Sequence, residues 1–298
     1  MMVSVHDFII YLHQKYELYD NERDKMDFKN HIAFRADDSL ELVEYLEANG
    51  IGYNKGEIIS ALDILESDPH WENILKIIGD DKHYITETVF SKEEMRSAEW
   101  LTVRSVWRYD YPQPENKYRK ITYNGQMCPE CWGGLAQIDS FRFKRAPKWG
   151  KRFFLTTNWE DDILFVSDHA KAMIESANIS GVTFREVKNK NGTEIFPDIH
   201  QLEVHNILPE GLAWEYSCVD EILVCDKCGR SKFASNGRGQ FVFRKNTFDN
   251  APDIVLSSEI FGRAHYNQRL LIVSQKIYQT ITKNKMDRSL EFQPIKLI

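Results

Sequence analysis

Two short stretches, "MCPECWGG" at 127–134 and "LVCDKCGR" at 223–230, constrain this chain more than any other feature. Each contains a C-x-x-C turn that offers two sulfurs to one ion, and half a tetrahedral site has no stable purpose alone. Cys128 and Cys131 therefore need partners, and Cys225 with Cys228 supply them across 93 intervening residues. Four thiolates suit Zn2+, which has no geometric preference from its d electrons and accepts sulfur donors tetrahedrally. Four sulfurs leave no open position for water, so the expected zinc is structural rather than catalytic. Gly229 allows a tight turn after the second pair, and Gly133–Gly134 do similar duty after Trp132 in the first. The fifth cysteine, Cys218 in "WEYSCVDEILV", reads as a small buried hydrophobe.

The background to these motifs is ordinary. At 298 residues with 42% hydrophobic and 28% charged side chains, the chain can bury a sizeable core as one large domain or two modest ones. No apolar run approaches the ~20 residues of a membrane span, and the first apolar stretch is broken by His6, Asp7 and His13, unlike a signal sequence. A cytoplasmic protein without membrane association is expected, and in that reducing setting paired cysteines point to metal rather than disulfides. Charge is unevenly spread. Residues 1–100 carry 10 basic and 22 acidic residues, a net −12, which leaves +5 for the remainder of a chain whose total is −7.

The periodicity predicts an α+β chain. Val5, Phe8, Ile9, Leu12 and Tyr16 predict an amphipathic helix over 4–19. "HIAFRA" (31–36) reads as a strand, and "DDSLELVEYLEANG" as a helix with Ser39 at its N-cap and Gly50 just past its end. "EIISALDILESD" (57–68) reads as another helix, and "WENILKIIGD" as a further helical segment after Pro69. Ser91 and Glu94 have capping-box spacing, and "LTVRSVWRY" (101–109) alternates as a half-buried strand. The proline-bearing stretch 109–120 is the candidate linker between an acidic N-terminal α/β region (1–110) and a cysteine-bearing domain (121–298).

That second region contains an internal repeat. "ILFVSDHAKAMIESANISGVTFREV" (163–187) and "LLIVSQKIYQTITKNKMDRSLEFQPI" (270–295) each read as a strand ending in Val-Ser, a helix, and a strand with a central Phe. Cys131 precedes Val166 by 35 residues and Cys228 precedes Val273 by 45, so each knuckle leads into one copy. The expected fold is thus two knuckle plus strand–helix–strand units, related by a pseudo-twofold and sharing one zinc. Ser167 and Ser274 are expected as helix N-caps, since no G-x-S-x-G elbow surrounds either. His200 and His205 are five residues apart, a spacing that matches neither one helix face nor one strand face.

With the knuckles, "LFVS", "LIVS", "FREV" and "FQPI" in place over residues 95–298, the chain resembles the double-CXXCG motif family. The first knuckle departs from that pattern, reading C-P-E-C-W. The resemblance implies a relationship to immunity proteins of bacterial contact-delivered toxin systems, cytoplasmic proteins that neutralise a toxin by binding it. A non-enzymatic protein with a cognate toxin as partner is therefore the leading expectation, with the acidic first third as a face for a basic toxin. The alternative is a zinc-ribbon-like nucleic-acid-binding protein. Its surface would be "FRFKRAPKWGKRFF" (141–154), where Arg142, Lys144, Arg145, Lys148, Lys151 and Arg152 interleave with aromatics. No Gly-rich phosphate loop, H-E-x-x-H or deaminase spacing argues for an enzyme.

Overall fold

The computed structural model describes residues 26–79, 84–125 and 127–298, so the helix expected over 4–19 lies outside the described residues. The chain divides into two compact units: residues up to Glu94 together with Asn236–Gln240, and Met95–Ser235 together with Phe241–Ile298. The stretch 109–120 lies inside the second unit, where Pro112 and Gln113 are buried and Gln113 N–H donates to Arg142 O at 2.9 Å.

The first unit contains β1 (Met26–Phe34), α1 (Leu40–Ala48), β2 (Ser60–Leu65), α2 (Trp71–Ile78) and β3 (Tyr84–Phe90). The strands form an antiparallel sheet in the order β2-β1-β3, with Ile32 opposite Leu62. Leu42 and Leu46 of α1 and Ile74 and Ile78 of α2 close over Ile32, Phe34, Leu62 and Ile64 as one core. Ser39 holds the N-cap position of α1 without a side-chain capping bond, and Gly50 follows its end at φ +67°. The helix expected over 57–68 is a correction: Ser60–Leu65 is strand β2, with Ser60, Leu62 and Ile64 turned inward. Ile58 and Ile59, which completed the helical spacing, are exposed instead.

Asn236–Gln240 completes this unit. Arg238 forks onto the Glu66 carboxylate and sets its guanidinium 5.0 Å from the Phe28 ring. Thr88 Oγ1 donates to Gly237 O and accepts from Gly239 N–H, both at 2.7 Å. Gly237 is held at φ +76°, where a Cβ would meet Thr86 O at 2.1 Å, so only glycine fits.

After α3 (Lys92–Ser97), whose capping box is reciprocated by Ser91 N–H to Glu94 Oε2 (2.6 Å) and Glu94 N–H to Ser91 Oγ (3.2 Å), the second unit is strand-rich. It comprises β4 (Trp100–Ser105), α4 (Tyr118–Thr122), β5 (Arg142–Phe143), β6 (Phe154–Thr157), β7 (Glu160–Ser167), α5 (Asp168–Ser176), β8 (Val182–Asn189) and β9 (Ile195–Val204). There follow β10 (Val219–Val224), β11 (Ser231–Ser235), β12 (Val242–Phe243), β13 (Ile254–Phe261), β14 (Gln268–Ser274), α6 (Gln275–Lys283), β15 (Leu290–Pro294) and β16 (Lys296–Leu297). The sheets are β10-β11-β13-β14-β4-β15, β5-β8-β9-β7-β6 and the pair β12-β16, an α+β arrangement.

Both segments singled out by their similarity fold as strand, helix, strand. Helix α5 joins β7 to β8 with β9 between them, antiparallel to both; α6 joins β14 to β15 with β4 between them in the same sense. Ser167 and Ser274 sit at the helix N-caps with nearly equal backbone angles (φ −69°, ψ 160° and 161°). Ser167 Oγ accepts from Ala170 N–H at 3.2 Å, whereas Ser274 Oγ donates to Asp253 Oδ1 at 3.0 Å. The middle strands differ in origin, since β9 follows its segment and β4 precedes both knuckles. Ile174, Ile277 and Ile281 of the two helices enter one core with Leu101, Phe154, Val166, Val273 and Phe292. No helix among the described residues is long and apolar enough to cross a membrane.

Candidate metal centre

The two knuckles meet. Cys128 and Cys131 lie in the loop after α4, Cys225 and Cys228 in the turn between β10 and β11, and all four sulfurs fall within 4.8 Å of one another. Cys128 Sγ is 3.8 Å from Cys225 Sγ and Cys131 Sγ is 3.6 Å from Cys228 Sγ. A disulfide needs about 2.05 Å. A tetrahedron of metal–sulfur bonds of about 2.3 Å has edges of about 3.8 Å, so the cluster is sized to hold a metal ion.

The same backbone bonds build each turn. Trp132 N–H donates to Cys128 O at 2.9 Å, and Gly229 N–H to Cys225 O at 2.8 Å. Cys128 N–H reaches Gly133 O and Cys225 N–H reaches Arg230 O, each at 3.0 Å. The departure C-P-E-C-W leaves the turn unchanged, because Trp132 adopts φ +59° where Gly229 adopts +68°. A bulky residue in that region is unusual and strained.

Proton affinities differ across the cluster. Burial of Cys131 opposes its thiolate, but hydrogen bonds from Gly133 N–H and the neighbouring sulfurs outweigh it and bring the thiol down to about 6. Cys228 rises to about 11: the Arg230 backbone favours its thiolate, but desolvation and the nearby sulfurs oppose it more strongly. Bare thiolates crowded at this range repel, and a cation at their centre removes that repulsion. The Arg230 guanidinium adds positive charge, with Nη1 at 3.8 Å from Cys228 Sγ.

The other candidates separate from the centre. Cys218 is buried with Phe241, Phe243 and Val255. His200 Nε2 faces Asp168 Oδ1 at 3.2 Å and His205 Nε2 faces Thr183 Oγ1 at 3.1 Å, so the histidines serve different local contacts. In the basic stretch, Phe141 and Phe143 are fully buried, Arg142 pairs with Asp139 at 2.9 Å and Lys144 with Glu115 at 2.8 Å. Phe141 and Phe143 therefore fill the core, whereas Trp149 and Phe153 of the same stretch are partly buried.

Sequence reasoning missed the surroundings of the first knuckle. The Trp132 indole stacks on His265 at 3.9 Å and 6°, and the Arg119 guanidinium lies 4.3 Å from the same ring. Asn267 Nδ2 donates to Cys131 O at 2.6 Å, tying the β13–β14 turn to the knuckle. The run "WEDD" (159–162) was the available signal: Glu160 accepts from Tyr118 and Tyr123 hydroxyls at 2.9 and 2.8 Å, and burial raises its carboxyl above the usual range. Burial, reinforced by Glu160, lifts Asp162 to about 7. No protein-family model matches the chain, and no curated protein matches it in sequence.

Proposed function

We propose that this protein is a non-enzymatic binding protein whose cysteine-bearing unit is clamped by one structural zinc, shared between two knuckle plus strand–helix–strand units. The observation that carries the reading is the closed set of four sulfurs, paired at 3.6 and 3.8 Å. Zinc fits this donor set because thiolates favour it and tetrahedral coordination is its structural habit. A filled first shell supplies no metal-bound water, which supports a scaffolding role for the ion.

The double-CXXCG resemblance supports a specific task, the neutralisation of a bacterial toxin in the cytoplasm. Charge supports the choice of face. Residues 26–94 carry 16 acidic and 6 basic side chains, and Asp37, Asp38, Glu41 and Glu44 stand exposed around the start of α1. An acidic face accelerates encounter with a basic partner and suppresses wrong ones.

The test pairs metal analysis with protection. Protein purified without a metal-affinity tag should contain about one zinc per chain. Co-expression with the toxin encoded beside it should protect cells. Reversing Asp37, Asp38, Glu41 and Glu44 to lysine should weaken protection, whereas reversing exposed Lys148 and Lys151 should not. Metal-free reduced protein would remove the zinc reading, and full protection by the acidic-face variant would remove the assigned face.

A further inference from the structure

One end of the first unit leaves large apolar side chains in water. Phe34, the last residue of β1, pairs with Ser60, the first of β2, so the chain leaving β1 and the chain entering β2 meet at that end. The departing chain turns through 36–38 into α1, whose first residue, Leu40, is 65% exposed. The arriving chain is a loop closed by Asn54 and Ala61, which exchange backbone hydrogen bonds at 2.8 and 3.0 Å. Within it Ile58 and Ile59 follow one another, 73% and 59% exposed. Turns favour Gly, Pro, Asn, Asp and Ser for backbone reasons, and none of those reasons calls for two isoleucines. The loop is nevertheless fixed in shape. A Cβ on Gly56 would meet Ile59 O at 2.0 Å, so only glycine lets the backbone approach that closely. At its base, Tyr53 Oη and Lys55 Nζ donate to Glu47 Oε1 of α1 at 3.5 and 2.8 Å.

The surround is acidic, and its two cations are already taken. Arg35 pairs with Asp38 at 3.4 Å and Lys55 with Glu47 at 2.8 Å. Asp37, Glu41, Glu44 and Glu57 stand exposed, and among the described residues no cation forms an ion pair with them. Adjacent exposed apolar side chains rimmed by polar groups mark a surface for another macromolecule. The sign of the rim selects which one. A second copy would bring like charges face to face, and an anionic lipid surface would be repelled. Residues 1–25, with five acidic and three basic side chains, carry the same sign as the rim.

We infer that Leu40, Ile58 and Ile59 form the apolar centre of a docking surface for a basic protein segment, one that presents an apolar anchor flanked by Lys or Arg. The three side chains exclude water from the anchor, and Asp37, Glu41, Glu44 and Glu57 meet its cations around the rim. Charge then governs the rate of encounter, and apolar contact the lifetime of the complex. Identifying that segment as part of a toxin rests on the function proposed above; the surface itself does not.

The experiment is fluorescence-anisotropy titration of three labelled peptides of equal length with the full-length, zinc-loaded protein. One peptide contains leucine and lysine, one serine and lysine at the same charge, and one leucine and glutamate. At about 0.15 M salt the leucine–lysine peptide binds saturably with Kd below about 100 µM, the serine–lysine peptide at least about tenfold more weakly, and the leucine–glutamate peptide not at all. Ile58→Ser combined with Ile59→Ser weakens leucine–lysine binding by about tenfold or more, and Leu40→Ser acts in the same direction. The melting temperature of the double variant stays within about 2 °C of wild type, because both side chains are exposed. Asp37→Asn with Glu57→Gln slows association and flattens its salt dependence. Equal binding of the two lysine peptides overturns the inference, as does no binding of the leucine–lysine peptide or unchanged affinity in the folded double variant. So does a dimer, seen by sedimentation, that the double variant abolishes, since a second copy then occupies the surface. Peptide binding without protection of toxin-exposed cells upholds the surface and removes the toxin as its partner.

Discussion

Trp132 and Gly229 hold the same left-handed backbone in the two knuckles at different cost. At Gly229 no atom lies within 4 Å of where a Cβ would stand, so Gly229→Ala meets no steric neighbour. Its whole effect is conformational, and it should destabilise the second unit by about 1–2 kcal/mol in denaturant titration. Trp132→Gly relieves comparable strain but gives up the His265 stack and the Arg119 contact, so its net effect should fall within about 1 kcal/mol with zinc content unchanged. The ligands themselves behave otherwise. Cys225→Ser removes one corner of the tetrahedron, and because metal binding to a closed site is coupled to folding, zinc content and thermal stability should fall together. Asp162 gives a pH signature of the opposite kind to an ion-paired carboxylate. Its folded value of about 7 lies above the ~3.9 of an unfolded Asp, so the folded state binds the extra proton. Its contribution to stability is therefore greatest at low pH, declines as pH rises from about 4 to about 7, and is unfavourable and constant above that. Melting temperatures of wild type and Asp162→Asn, compared between pH 6 and 8 where the thiolate centre stays metallated, should diverge with rising pH in favour of the variant.

At the scale of elements, what could be read from the sequence was what local spacing encodes. The C-x-x-C turns, the capping box at Ser91 and Glu94, helices α1 and α2, and the two strand–helix–strand segments each declare themselves within one continuous stretch, the longest being 270–295. The capping box is the simplest to test: Ser91→Ala removes the acceptor for Glu94 N–H and should cost about 1 kcal/mol by thermal melts. Strand β2 defeated the same logic. Ile58, Ile59, Leu62 and Leu65 fall at helical intervals, yet Ile58, Ile59 and Leu65 end up exposed. The buried set Ser60, Leu62 and Ile64 is chosen by pairing with β1, a long-range constraint that periodicity does not carry. The cleft beside the first knuckle escaped for a related reason. Its walls come from 115–137, 159–163, Arg230 and 260–269, and no window of sequence contains them together.

For the whole molecule, the segment Asn236–Gln240 sets how the chain can be divided. It belongs to the first unit, although the strands on either side of it belong to the second. Arg238→Ala leaves Glu66 without its fork and Phe28 without its cation, and should destabilise the first unit by about 1–3 kcal/mol while leaving zinc retention unchanged. Differential hydrogen exchange can read the two units separately in one sample. The same arrangement imposes a timetable on synthesis. A ribosome that has released Glu94 must add 146 more residues before Gln240 emerges, a delay of roughly 7–30 s at about 5–20 residues per second. Throughout that interval the nascent acidic unit exists without the loop that completes it, and the first knuckle waits similarly for Cys225 and Cys228. Nascent chains halted before residue 236 and those halted far enough beyond residue 240 for it to leave the ribosome should therefore differ sharply in protease resistance near Glu66 and Thr88, making the final assembly of the earliest-made unit one of the later events in the birth of this protein.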